Sequence, residues 1–163
     1  MKIRKYQKSD WHQLWPILAK VFGEGESYTY SPDITESEAH RVWIELPVET
    51  YVAVDEKETL LGTYYIKPNQ PALGSHVCNC GYIVSEKARG NGIAARMCEK
   101  SQLNAIELGF TAMQYNFVVE SNQVAIGLWV KLGFKIVGKL PGAFKSKKLG
   151  YIDAFVMYKT LIK

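Results

Sequence analysis

The stretch Tyr82-Ile-Val-Ser-Glu-Lys-Ala-Arg-Gly-Asn-Gly-Ile-Ala94 carries the strongest structural signal in the chain. An apolar run is followed by a polar loop that contains Gly90 and Gly92, and a helical apolar spacing begins at Ile93. Because glycine has no Cβ, the loop can curl and point successive N–H groups into one concavity beside the positive end of the helix dipole. Arg89 adds charge-assisted hydrogen bonds to anionic oxygens. The stretch therefore predicts a strand, a loop and a helix start that together hold a diphosphate.

The same glycines allow a second interpretation, which is a tight turn that binds nothing. A dinucleotide-binding fold requires Gly-x-Gly-x-x-Gly and an acidic residue after the next strand, and a P-loop requires Gly-Lys-Ser or Gly-Lys-Thr. Neither pattern is complete in this chain. The loop by itself leaves both interpretations open.

Hydrophobic spacing along the rest of the chain predicts the element order β, α, α, β, β, β, α, β, α, β, β. The predicted strands cover residues 3–6, 51–54, 60–66, 76–84, 113–119, 134–140 and 151–161. The predicted helices cover residues 11–22, 35–46, 92–108 and 122–132. A strand-helix-strand-helix core between antiparallel hairpins indicates the α/β class, with a mixed sheet and helices on both of its faces.

Capping residues define the starts of the first two helices. Ser9 and Asp10 offer an N-cap for the first helix, although Pro16 inside its pattern should bend that helix or shift its start. Thr35-x-x-Glu38 has the spacing of a capping box for the second helix. An aromatic loop, residues 23–33, connects the two helices.

Length and composition indicate a single soluble domain spanning residues 1–163. No repeat, low-complexity tract or Gly/Ser linker divides the 163 residues. Hydrophobic residues make up 47% and charged residues 22%, which excludes a disordered or fibrous chain. The apolar stretches are strand-sized and the N-terminus has no apolar signal region, so we expect no membrane partner.

Cysteine usage and charge favour a cytoplasmic protein that does not bind nucleic acid. Cys78, Cys80 and Cys98 are odd in number and do not suggest a disulfide framework, which indicates a reducing compartment. The net charge of +4 comes with lysines in the last third of the chain, and these fit a solvated face as well as an anionic ligand. No basic stripe interleaved with aromatic residues is present.

A second motif follows the glycine loop by about thirty residues, and it reads Asn122-x-x-Ala125-x-x-Leu128-Trp129-x-Lys131-Leu132-Gly133-Phe134. Together with Arg89-x-x-Gly92-x-Ala94, it resembles the paired motifs of the GNAT N-acetyltransferases. The loop with Tyr28 and Tyr30 is similar to the phosphinothricin-type branch of that family. The resemblance implies an acyl-CoA N-acyltransferase fold, with a mostly antiparallel twisted sheet in which two neighbouring parallel strands splay apart.

The resemblance further implies acetyl-CoA as co-substrate, with its diphosphate on the glycine loop and its pantetheine arm in the gap between the splayed strands. Such an arm pairs with strand backbone at Val84, as an added strand does. The implied cofactor-binding residues are Ile83, Val84, Arg89, Gly90, Asn91, Gly92, Ile93, Ala94, Asn122, Ala125 and Trp129.

The implied activity is direct transfer of the acetyl group to a primary amine of a small molecule in a ternary complex. Tyr28 and Tyr30 are the candidate substrate-binding residues. A non-catalytic acyl-CoA-binding or regulatory module remains an alternative, because Cys78 and Trp129 occupy the positions of the family's usual base and acid. A peptide or protein N-acetyltransferase is a further alternative, and the sequence is compatible with a monomer or a homodimer.

The proton acceptor is the least defined part of this prediction. Many family members have a glutamate six residues before the position of Val84, and here that residue is Cys78, which we interpret as a small buried filler. Glu120, at the end of the neighbouring predicted strand, is the carboxylate that we favour, and Asn79 or His76 can instead organise a water that relays the proton. An acceptor matters because an amine of pKa ~10.4 must lose its proton at a cost of roughly 4 kcal/mol at pH 7.

The residue that usually donates a proton to the leaving thiolate is also absent from its position in this chain. Trp129 replaces the family's tyrosine, and an indole donates a hydrogen bond without giving up its proton. Tyr151 and Tyr115 are possible substitutes. A thiol pKa near ~8.5 also makes the thiolate a tolerable leaving group without help.

A metal site is not expected, although His76, Cys78 and Cys80 alternate along one predicted strand. Alternate residues on a strand are about 6.6 Å apart, so three in line span about 13 Å and do not converge on one tetrahedral ion.

Overall fold

A computed structural model describes residues 1–162, which fold around one seven-stranded sheet. The strands are β1 Lys2–Lys5, β2 Glu49–Val54, β3 Leu60–Pro68, β4 Val77–Val84, β5 Ala112–Val119, β6 Lys135–Ser146 and β7 Gly150–Thr160. The helices are α1 Trp11–Glu24, α2 Glu36–His40 with a following π-helical turn Arg41–Glu45, α3 Ile93–Glu107 and α4 Gln123–Lys131. The predicted element order is therefore confirmed. Over the described residues, no helix is long and apolar enough to cross a bilayer.

The sheet is mixed and mostly antiparallel. Its strand order is β1-β2-β3-β4-β5-β7-β6, and the neighbours β4 and β5 are parallel while all the other described pairs are antiparallel. The parallel pair lies where the chain crosses over through α3, as a parallel connection requires. The α/β class and the two neighbouring parallel strands are confirmed.

Helices cover both faces of the sheet, as the alternating side chains of β3 show. On β3, Tyr64 and Ile66 belong to the cluster that contains Met97 of α3 and Trp129 of α4. Tyr65, between them, belongs to the cluster that contains the α1 side chains and Trp43. Because successive side chains of a strand point to opposite faces, α3 and α4 pack on one face and α1 and α2 on the other.

The first helix differs from the prediction at its start. The Asp10 side chain makes no capping bond to α1, and it instead accepts hydrogen bonds from the Gln7 N–H at 2.7 Å and from Arg4. Pro16 lies inside α1, which begins before it at Trp11. A proline inside a helix costs ~3 kcal/mol, and burial of Leu14 and other side chains of the same helix offsets that cost.

The second helix begins as predicted, because the Thr35 side chain accepts a hydrogen bond from the Glu38 N–H at 3.2 Å. At the other end of the chain, β6 extends to Ser146 although Pro141 follows its predicted end. β6 is an edge strand, where a missing N–H is tolerated, and its register to β7 shifts between Leu140 and Phe144.

Candidate active site

The central feature of the site is a fork between the two parallel strands. β4 and β5 pair only through Val77–Asn79 and Ala112–Gln114, after which both strands continue without pairing to each other. Asn79 lies at the closed end of this fork. Its Nδ2 donates to the Gln114 carbonyl at 3.0 Å, and its Oδ1 accepts from the Tyr65 hydroxyl at 3.2 Å. The predicted splay is therefore present, with Asn79 at its apex.

The backbone of β4 presents alternate residues to the fork. The Ser85 N–H donates to the Leu61 carbonyl, and the Val77 carbonyl accepts from the Asn69 N–H. The backbone groups of the odd-numbered residues from 77 to 85 therefore form their hydrogen bonds toward β3. Strand alternation then turns the N–H and C=O groups of Tyr82 and Val84 toward the fork. This is the orientation that backbone pairing at Val84 requires.

Two of the predicted residues, Ile83 and Tyr28, also have structural roles close to Val84. The backbone of Ile83 faces β3 by the same alternation, and its side chain is buried in the cluster under α1. The Tyr82 carbonyl accepts a hydrogen bond from the Tyr28 hydroxyl at 2.9 Å. Burial raises the pKa of Tyr28, so its phenol stays protonated and remains a donor.

The glycine loop follows β4 and has open N–H groups. Gly90 and Gly92 have φ of +80° and +71°, and a Cβ built on either residue meets no atom within 4 Å. The N–H groups of residues 90–95 have no acceptor among the described residues, and the bonds of α3 begin with Arg96 N–H to Gly92 O at 3.2 Å. The Asn91 side chain braces the loop by donating to two carbonyls within it. These features match an anion cradle, in which strained backbone needs glycine and the space above it is free.

A cleft of about 800 Å³ joins the fork, the loop and the start of α4. Its volume is within the range of small-molecule sites. The predicted residues that line it are Asn79, Ile83, Val84, Arg89, Ala94, Asn122, Ala125, Trp129, Tyr28 and Tyr30. Ile93 is instead buried in the core below α3. The two motifs, about thirty residues apart in sequence, thus meet in one cleft.

The start of α4 forms one wall of the cleft. The Asn122 side chain caps this helix by accepting from the Ala125 N–H at 3.2 Å, so its Oδ1 is engaged while its amide nitrogen remains a donor group. Trp129 lies about two turns further along α4, with its ring centroid 5.0 Å from that of Tyr82 and 5.2 Å from that of Tyr115.

Tyr115 lines the cleft next to Trp129, but its hydroxyl belongs to a buried network. It donates to the Tyr82 hydroxyl at 3.1 Å and lies 3.3 Å from the Cys98 sulfur. The Tyr82 hydroxyl is in turn 2.7 Å from the Ser101 hydroxyl. Burial raises the pKa of Tyr115 well above its ordinary value, so the phenol keeps its proton at neutral pH.

The other end of the cleft is formed by the aromatic loop after α1. Tyr28 and Tyr30 stack at 6.0 Å, and both pack edge-on against Phe22. Charged side chains that the sequence reasoning missed line the same end: Glu24, Glu26, Lys67 and Lys148. Burial lowers the pKa of Lys67. Glu24 and Glu26 are the carboxylates that line the cleft within the described part of the chain.

Glu26 is held in place by the turn between β6 and β7. Its Oε2 accepts from the Ser146 hydroxyl at 2.6 Å, and its Oε1 accepts from the Lys148 N–H at 3.1 Å. Ser146 is 120 residues away in sequence, so no local signal relates the two. The available clue was that Glu26 belongs to the aromatic loop, which also carries the predicted substrate-binding residues Tyr28 and Tyr30.

Two of the predicted catalytic residues do not line the cleft. The Glu120 carboxylate is 3.8 Å from the Lys139 ammonium, which also pairs with Asp153 at 2.6 Å. Tyr151 is 74% exposed on β7, below the ammonium of Lys145. The structure therefore brings Asn79 to the fork and keeps Glu120 and Tyr151 apart from it.

The cysteines on β4 belong to the core. Cys78 and Cys80 are free and buried in the cluster below α3, as expected for a small filler at Cys78. His76, just before the strand, is exposed. Across residues 1–162, no group of three His, Cys, Asp or Glu side chains has the arrangement of a metal site.

Comparisons with known proteins agree with this geometry. A family model described as the acetyltransferase (GNAT) family matches residues 11–134. The chain is 32% identical over 148 residues to the N-acetyltransferase aca1 of Schizosaccharomyces pombe, across 81% of this chain and 71% of that protein.

Solved structures share the whole fold. A GCN5-related N-acetyltransferase from Kribbella flavida has a TM-score of 0.92 at 36% identity, covering 98% of this chain and 96% of that one. A phosphinothricin acetyltransferase from Sinorhizobium meliloti, solved with acetyl-CoA, has a TM-score of 0.87 at 19% identity, covering 99% of this chain and 88% of that one. The paired motifs, the forked sheet and these matches together establish that the chain belongs to the GNAT family of acetyl-CoA-dependent acetyltransferases.

Proposed function

We propose that this protein transfers the acetyl group of acetyl-CoA to a primary amine of a small molecule by direct attack. The observation that carries the proposal is the single cleft lined by the β4–β5 fork, by Arg89 and Ala94 at the two ends of the glycine loop, and by the aromatic loop. A donor with a diphosphate at one end and a thioester at the other fits such a cleft.

The glycine loop and Arg89 are proposed to bind the diphosphate. Unpartnered N–H groups at a helix start favour anions, and a guanidinium adds directed hydrogen bonds. Val84 is proposed to pair its backbone with the pantetheine amides, with Ala125 and Trp129 packing against that arm and the Asn122 amide donating to it. Gly90, Asn91 and Ile93 are proposed to contribute their backbone N–H groups, while the Asn91 side chain stabilises the loop and the Ile93 side chain anchors it in the core.

The reaction needs a neutral amine near the thioester carbonyl. The amine nitrogen forms the new C–N bond, the C–S bond breaks, and the electron pair leaves with the sulfur as a thiolate. We propose that Glu26 takes up the amine proton, because it is a carboxylate held at the acceptor end by two hydrogen bonds. Asn79, whose amide bridges the apex of the fork, is proposed to orient the thioester end or a water beside it.

The protein contributes to the rate mainly by positioning in this proposal. Holding two reactants in a productive geometry is worth ~7–11 kcal/mol in favourable cases. A proton acceptor contributes about 100-fold to 10,000-fold more. The thiolate leaves without a strong acid, consistent with Trp129 at the usual acid position and with a raised Tyr115 pKa.

A small acceptor is favoured over a long peptide by how the acceptor end is built. The loop carrying Glu26 is bonded to the β6–β7 turn, and Lys147 donates to the Gly23 carbonyl at 3.1 Å. We propose that these contacts limit the size of the acceptor at this end of the cleft. Free, buried cysteines support a reducing compartment, so the cytoplasm is the proposed location.

Thiol release from acetyl-CoA over amino acids, polyamines, aminoglycosides and short peptides tests the proposal, with calorimetric titration of acetyl-CoA alongside. Turnover on a small amine is the expected result. Turnover on peptides alone would overturn the small-acceptor assignment, and tight binding without turnover would indicate the non-catalytic alternative. Absence of binding would contradict the donor site.

A further inference from the structure

A second cavity of about 630 Å³ lies on the other side of the glycine loop. It is enclosed by α1, by the start of β3, by the loop of residues 85–91 and by the first turn of α3. Arg89 and Val21 line both this cavity and the cofactor cleft, so they form the wall between the two. We name it the α1 cavity.

The floor of the α1 cavity is aliphatic. Ile17 of α1, Leu61 of β3 and Ile93 of α3 line it, and these three side chains are buried or half-buried. Small-molecule sites of this volume are largely apolar and carry a few polar groups that fix orientation. The floor therefore fits the apolar body of a small molecule.

The rim of the α1 cavity is strongly basic. Its cationic side chains are Lys20, Lys87, Arg89 and Arg96, and one carboxylate, Glu86, lies among them. Four cations against one anion leave the rim net positive, which favours an anionic group.

The one carboxylate at the rim is already neutralised. Lys20 of α1 forms an ion pair with Glu86, and the lysine and the glutamate are both about half exposed. An entering anion would bind Lys20 together with Glu86, or would replace Glu86 as the partner of Lys20. An exposed ion pair is worth at most about 1 kcal/mol, so such an exchange is inexpensive.

We propose that the α1 cavity binds a small amphipathic anion, a carboxylate or sulfonate on an aliphatic or aromatic body, and that this binding opposes the binding of acetyl-CoA. The opposition follows from the shared wall, because Arg89 would pair either with the anion or with the diphosphate. The claim that the anion opposes acetyl-CoA rests on the proposed donor site, whereas the claim that the α1 cavity binds an anion does not. Reciprocity requires each ligand to weaken the other by the same factor.

The probe is 1-anilinonaphthalene-8-sulfonate, which has an aromatic body and one sulfonate and fluoresces when its environment becomes apolar. Titration of the full chain should show one saturable site. Lys20→Glu and Lys87→Glu should each raise the probe Kd at least about tenfold, since each reverses a rim charge. Lys135→Glu, the same reversal at an exposed residue of β6 outside either cavity, is the matched control and should leave the Kd unchanged.

Acetyl-CoA then tests the coupling. Saturating acetyl-CoA should raise the probe Kd to a finite plateau, and saturating probe should raise the acetyl-CoA Kd by the same factor. Displacement without a plateau, together with unchanged binding in Lys20→Glu and Lys87→Glu, would place the probe in the cofactor cleft and overturn the proposal. Absence of a saturable probe site would also overturn it. If acetyl-CoA alone fails to bind, the proposed function fails while the rim variants still report on the α1 cavity.

Discussion

Replacement of Gly92 separates the shape of the glycine loop from its charge. Gly92 precedes α3 with φ of +71°, and a Cβ there meets no atom within 4 Å. Gly92→Ala should therefore cost backbone strain alone, roughly 1–2 kcal/mol of folding free energy. The strain is present with and without the cofactor, so the Tm should fall while the Kd for acetyl-CoA changes by less than about threefold.

Gly92→Glu carries the same strain and adds a carboxylate beside the proposed diphosphate site. At a separation of ~6 Å, a carboxylate and a diphosphate of about two negative charges repel by ~1.4 kcal/mol even at the dielectric constant of water. That energy corresponds to about a tenfold rise in Kd, and a lower local dielectric constant makes the rise larger. Calorimetric titration with acetyl-CoA measures the difference in Kd between the two variants. Thermal unfolding checks that the backbone strain lowers their Tm values equally. Equal Kd values for the alanine and glutamate variants would refute the placement of the diphosphate on this loop.

Three further changes test other parts of the site and fold. Glu26→Gln should lower kcat/KM at pH 7 by about 100-fold or more without changing the acetyl-CoA Kd, because it removes the proposed proton acceptor; steady-state kinetics and calorimetry measure the two values. Tyr28→Phe should cost about 1–3 kcal/mol in urea unfolding, because it leaves the Tyr82 carbonyl without its donor. Asp10→Asn should destabilise the fold at pH 7, because hydrogen bonds from Arg4 lower the Asp10 pKa. That contribution is fully present above the unfolded carboxyl pKa of ~3.9 and is lost as the pH falls through the lowered folded value, so urea unfolding at pH 7 and at pH 2–3 should show the difference shrinking.

Each of these changes has a control in the chain. Glu24→Gln alters the other carboxylate of the cleft, and a loss of activity as large as that of Glu26→Gln would contradict the assignment of the proton acceptor. Tyr30→Phe should cost less than Tyr28→Phe, and the opposite order would contradict the role of the Tyr82 carbonyl. Glu49→Gln breaks the exposed Lys5–Glu49 pair, which should be worth less than about 1 kcal/mol.

Most of the fold was predictable from the sequence because its signals are local. Thr35 caps the second helix three residues before Glu38, and the glycine loop lies between β4 and α3 where the pattern changes from strand to helix. The errors at Asp10 and at the end of β6 have tertiary causes. Arg4 draws the Asp10 carboxylate away from the cap, and the edge position of β6 makes Pro141 tolerable.

The residues that line the cleft were predictable where they belong to the two motifs, and much less at the end formed by the aromatic loop. The predicted cofactor-binding residues belong to two contiguous motifs, so their spacing carries the information. The acceptor end instead combines segments that meet only in the folded chain, as Glu26 and Ser146 do. The end of the neighbouring predicted strand also suggested Glu120, whose carboxylate lies beside Lys139 rather than in the cleft.

The contact between the loop after α1 and the β6–β7 turn has an evolutionary consequence. Glu26, Ser146 and Lys147 connect segments from opposite ends of the chain, through one carboxylate and two backbone carbonyls. If the loop after α1 were replaced by that of a homologue, the unchanged β6–β7 turn would lack the residues that hydrogen-bond to the new loop. Under the proposed function, acceptor preference should therefore be inherited, and exchanged between relatives, as a pair of segments rather than as either one, while the proposed donor site stays unaltered.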